Sequence, residues 1–139
     1  MLISGIAVAG ALGAPARYLL DGFVQDRTDS RLPLGTLVVN VTGSFLLGLI
    51  VGFALYHSFA DTPRAILGTG FCGAYTTFST FSYETAKLMQ DGEYRDATIY
   101  VGASVLLSLL GTVLGIRAAH HLVLALRSRG SVAASGEEH

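Results

Sequence analysis

Residues 70–83 read GFCGAYTTFSTFSY, a run of hydroxyls and aromatic rings without a single charge. It lies within an uncharged stretch, residues 65–83, long enough to cross a bilayer, because a helix needs about 17 to 25 residues to span the hydrocarbon core. GTGFCG, residues 68–73, meets the G-x-G-x-x-G spacing of a dinucleotide-binding turn, but no strand–turn–helix unit surrounds it, and that reading fails. The stretch instead reads as a broken transmembrane helix. Three glycines in close succession weaken helical preference, and Thr and Ser hydroxyls can satisfy the backbone groups that a break releases. Irregular backbone at membrane depth survives only where protein buries it or water lies beside it, so a break here marks a site.

The rest of the chain supports a membrane reading. Of 139 residues, 51% are hydrophobic and only 14% charged, outside the usual range of soluble domains. Three further stretches lack Asp, Glu, Lys and Arg: residues 1–16, 32–60 and 97–116. The first attains spanning length by including Arg17 and Tyr18, residues that snorkel or anchor at an interface. It reads as a first transmembrane helix rather than a cleaved leader, because a basic n-region is missing. Charged connections at residues 21–33, 61–64 and 89–97 separate the four spans, and the small, polar residues 128–139 read as a disordered tail after a four-helix domain, 1–127.

Net charge is −1 and no basic patch occurs, which argues against a nucleic-acid partner. The single Cys, Cys72, excludes an internal disulfide and a thiolate zinc site, and reads as a small buried hydrophobe. No nucleophile stands in a recognisable acid–base set, and an enzyme is not expected. No Asp, Glu or Lys falls near the middle of a span, so a proton-coupled transporter lacks its usual ionisable group; Glu84 comes just after the motif. With four spans, Lys and Arg divide almost evenly between the two sides, five against four. A chain without that bias can insert both ways round, and two copies can pair antiparallel. The pairs Gly48/Gly52 and Gly111/Gly115 have the spacing that lets helix backbones approach closely in lipid, in the chain or in a tight dimer.

Polar residues inside the spans suggest what passes. Asn40 is an amide within the second span, and Tyr100, Ser104 and Ser108 recur every four residues, lining one helix face with hydroxyls. Phe78 and Phe81, three apart, share a face if helix resumes after the break. Hydrogen-bond donors and electropositive ring edges suit a small anion.

These residues resemble those of the Fluc (CrcB) fluoride channels. GFCGAYTTFSTF is similar to that family's sequence at the third-helix break, GTLVVNVTGSFLLG with Asn40 to its second helix, and GALGAPARY to the end of its first. The likeness extends to about Arg117, and departs at Ala74, where the family often has a second Gly. It implies an all-α membrane protein of four transmembrane helices with a break in the third, assembled as a dual-topology antiparallel homodimer in the inner cell membrane. By the same resemblance the dimer conducts fluoride passively out of the cell through two pores. Phe78 and Phe81 would be the pore phenylalanines and Asn40 the pore amide, with Thr77, Ser79, Tyr100, Ser104 and Ser108 also in the fluoride path. Carbonyls of Gly73 and Thr76 from each subunit would hold a structural sodium ion at the dimer interface, and Arg17 and Glu84 would stand near the pore mouths. A small multidrug-type transporter shares the dual-topology plan, but its first helix carries a carboxylate that residues 1–16 lack. A non-conducting scaffold would leave the hydroxyl track idle.

Overall fold

The structure, a computed structural model, describes residues 1–56 and 60–136, with side chains described through residue 127 except at 57–59. It is all-helical among the described residues: α1 (Leu2–Gln25), α2 (Leu34–Tyr56), α3 (Asp61–Ala65), a π-helical segment (Ile66–Cys72), α4 (Gly73–Tyr75), α5 (Phe78–Gln90) and α6 (Tyr94–Gly136). Of these, α1, α2 and α6 are each long and apolar enough to cross a membrane. The chain is an integral membrane protein. Charged residues do not stop α1 at residue 21 as expected; it continues to Gln25, because charges continue a helix readily once it has left hydrocarbon. Likewise α6, 43 residues and roughly 64 Å long, exceeds the ~30 Å core and remains helical through Gly136. Residues 137–139 of the expected tail lie outside the described residues.

Helices α2 and α6 pack back to back through the glycine pairs. A methyl group on Gly48 would collide with the Thr112 carbonyl, and one on Gly115 with the Phe45 carbonyl; Gly52 faces Ala119 and Gly111 the Val41 carbonyl. The close approach read from the spacing is therefore met inside one chain, helix against helix. At one end Tyr56 stacks on His120 with 4.5 Å between ring centroids, and Arg127 donates to the Tyr56 carbonyl at 3.0 Å. At the other, α5 turns into α6 through Gly92, whose φ of 78° is left-handed. Its N–H bonds to the Met89 carbonyl and that of Glu93 to the Leu88 carbonyl, the Schellman arrangement that caps a helix carbonyl end.

The break does not fall where the glycines stand. GTGFCG stays helical, wound into the wider π form, because Gly70 is needed to seat that segment against α1: a methyl there would meet Ala9 Cβ and the Ile6 carbonyl at 2.9 Å. Helical geometry is lost three residues after Gly73, at Thr76 (ψ 160°) and Thr77 (φ −148°, ψ 121°). Cys72 is 2% exposed, the small buried residue that was expected.

Candidate functional site

At the break one side chain pairs with the backbone from across the structure. Asn40 on α2 donates from Nδ2 to the Thr77 carbonyl at 3.0 Å and accepts the Thr77 N–H on Oδ1 at 2.8 Å, so its amide pairs with the backbone as a neighbouring strand would. In an unbroken helix that Thr77 N–H would close on the Gly73 carbonyl. Asn40 diverts it. Downstream, Thr77 Oγ1 caps α5 by accepting the Thr80 N–H at 3.2 Å. The Thr76 carbonyl, whose helical donor would be that same Thr80 N–H, is released as well. The break leaves the four carbonyls of residues 73–76, those of Gly73 and Thr76 among them, without helical donors, and oxygen donors of this kind suit a hard cation.

A groove of about 360 Å³ opens beside the break, lined by Asn40, Gly73, Thr76, Thr77, Phe78, Phe81, Ser104 and Ser108 among others. Residues singled out from three separate parts of the sequence meet there. Ser104, 6% exposed, has a hydroxyl that finds no partner among the described residues. Phe78 is 79% exposed and its ring centroid lies 5.7 Å from that of Phe81, which lies 5.4 Å from that of Tyr100. These three rings form a continuous row.

Tyr100 does not line the groove. It is 1% exposed, and its phenol donates to Glu84 Oε2 at 2.7 Å, while Thr36 donates to Glu84 Oε1 at 2.9 Å. Glu84 in turn faces a wider cavity of about 990 Å³ bordered by Tyr18, Asp21, Arg27, Arg31 and Lys87, so the aromatic row connects groove and mouth. An ion pair from Arg31 to Glu93, 2.6 Å, crosses beside that mouth. Two further expected site residues, like Tyr100, stand apart from both linings. Ser79 is exposed, its hydroxyl 3.2 Å from Thr77 Oγ1, and Arg17 sits on α1 beside Tyr18 with its Nε buried and unpaired.

Thr36 and Ser44 escaped the sequence reading, although a signal was present. Thr36, Asn40 and Ser44 are four apart on α2, the same interval as Tyr100, Ser104 and Ser108 on α6. Asn40 and Ser44 face Ser104 and Ser108 across the groove, while Thr36 and Tyr100 turn to Glu84. Beyond the groove, Tyr75 and Thr42 join hydroxyl to hydroxyl at 2.8 Å.

The fold and site define a class: a small helical membrane protein with an interrupted helix beside an uncharged polar groove. The family described as "CrcB-like protein, Camphor Resistance (CrcB)" matches residues 4–116. The chain is 52% identical over 121 residues to the fluoride-specific ion channel FluC of Geobacter sulfurreducens, covering 86% of this chain and 98% of that one. It is 50% identical over 123 residues to the FluC of Geobacter metallireducens, 88% and 99% covered, and 49% over 111 residues to FluC 1 of Leifsonia xyli subsp. xyli, 80% of each. This chain belongs to the CrcB family.

Proposed function

We infer that this chain is a fluoride-specific ion channel, which carries fluoride passively across the membrane and lowers its concentration in the cell. The observation that carries the reading is the groove: the break, the amide of Asn40, the rings of Phe78 and Phe81 and the hydroxyls of Ser104 and Ser108 meet in one uncharged passage. Fluoride gives up water only for close replacement donors. Ser104 Oγ has no competing partner among the described residues, and Asn40 Nδ2 retains a second N–H beyond the one given to Thr77. Ring edges of Phe78 and Phe81 add weaker electropositive contacts. Neutral donors release the ion again, which conduction requires.

The working unit is an antiparallel, dual-topology homodimer with four crossings per subunit, the third made by α3 through α5, in the inner cell membrane. Phe78, exposed in the single chain, is a ring that a second copy would cover. The carbonyls of Gly73 and Thr76 would hold a sodium ion at the dimer interface, and the diversion of the Thr77 N–H to Asn40 supports their fitness as ligands. A sodium ion bound there supplies a fixed positive charge joining the two subunits. Glu84, held by Thr36 and Tyr100, stands at the mouth, with Arg17 on the neighbouring helix.

Liposomes loaded with fluoride or with chloride, and released by a potassium ionophore, test this. Fluoride efflux should be fast and chloride efflux slow, and Phe78→Ile should cut fluoride efflux at least tenfold while leaving thermal stability near that of the unmodified protein, since this ring is mostly exposed. Absence of fluoride flux from folded protein would sink the channel reading.

A further inference from the structure

Two polar side chains of α2 grip the break, one from each side. Asn40 holds Thr77, downstream of it. Upstream, α4 is the last turn of the helical run that begins at Asp61, and it ends at Tyr75. Tyr75 is 6% exposed, its hydroxyl 2.8 Å from Thr42 Oγ1. Thr42 directs its own proton to the Val38 carbonyl at 2.7 Å, so the Tyr75 phenol is the donor and the Thr42 oxygen the acceptor. The ring occupies the room left by Gly43, where an added Cβ would meet Tyr75 Cδ1 at 2.9 Å, and it stacks on Phe71 with 5.7 Å between centroids and 13° between planes. This one phenol hydrogen bond ties the side chain of α4 to α2.

We propose that Tyr75 is a positioning residue: the hydrogen bond it donates to Thr42 anchors α4 so that the Gly73 and Thr76 carbonyls stay available to sodium. The inference rests on the reading of those carbonyls as sodium ligands. Tyr75 touches neither the ion nor the fluoride groove, whose lining does not include it. Its effect therefore falls on sodium affinity, and added sodium offsets its loss.

The test is thermal unfolding of the purified full-length protein in detergent, with sodium chloride titrated against choline chloride at constant ionic strength. Sodium should raise the midpoint of the unmodified protein. Tyr75→Phe and Thr42→Val should each increase the sodium concentration for half-maximal stabilisation about threefold to tenfold, the range expected for one net hydrogen bond. The double variant should shift it no further than either single change, as for two ends of one interaction. Thr42→Ser keeps the acceptor and should match the unmodified protein. An unmoved sodium requirement in Tyr75→Phe, or a midpoint lowered equally at every sodium concentration, overturns the proposal while the sodium reading stands. Failure of both single variants to fold in saturating sodium overturns it too. Lack of any sodium response in the unmodified protein removes the sodium reading and this inference with it.

Discussion

At the scale of the residue, Asn40 has the most demanding task. Its amide accepts the Thr77 N–H that leaves the helix, at 2.8 Å, and adds a donor at 3.0 Å to the Thr77 carbonyl, which also starts α5. Asn40→Ala leaves a partly buried peptide N–H unpaired, a loss of about 1–3 kcal/mol for a buried group. We expect a lower unfolding temperature in detergent together with at least a tenfold loss of fluoride efflux. Phe78→Ile should lose flux alone, and comparing the two variants separates holding the break from lining the passage. Unchanged stability in Asn40→Ala would show that the pairing with Thr77 carries little. Glu84 illustrates the same dependence on neighbours: the Thr36 hydroxyl and the Tyr100 phenol each occupy one of its carboxylate oxygens, which fixes the carboxylate at the mouth.

At the scale of the element, the close packing of α2 against α6 sets where both polar stripes point. Gly115 abuts the Phe45 carbonyl, whereas Gly102 on the same helix has nothing within 4 Å of where a Cβ would stand. Gly115→Ala should destabilise the protein by about 1–3 kcal/mol through overpacking. Gly102→Ala should be neutral or stabilise by about 0.5–1 kcal/mol, because it only restricts the unfolded chain and favours helix. Thermal unfolding of the two variants side by side checks this, and equal effects would mean that the helices do not approach as closely as described. The π-helical segment depends on contact in the same way: Gly70 serves the seam with α1, and Gly68 faces Leu47 on α2.

At the scale of the whole molecule, the near balance of Lys and Arg and the broad exposure of apolar side chains bear on assembly. Leu106, Leu109 and Leu110 on α6 and Val8 and Leu12 on α1 are exposed in the single chain, surfaces for lipid or for a second copy. With a Cys72→Ala background, Gln25→Cys at the end of α1 should react with a membrane-impermeant maleimide from both sides of sealed cells or vesicles in comparable amounts. Labelling from one side only would contradict dual topology. Proteins that insert one way should instead follow their charge bias.

Much of this was legible in the residues themselves. Apolar length marked three of the four expected membrane helices, α1, α2 and α6, four-residue spacing placed Ser104 and Ser108 on one face, and the Gly pairs announced a close seam, because each is local information carried along a single helix. Only the tertiary structure decided that the glycines join α2 to α6 within the chain, that the break lies at Thr76 and Thr77, and that Tyr100 turns from the groove to Glu84. The reason is distance along the chain: Asn40 meets Thr77 across 37 residues and Thr36 meets Glu84 across 48. A helical peptide gives up its own hydrogen bond only when packing delivers a better-placed competitor, and no spacing rule within one segment identifies that competitor.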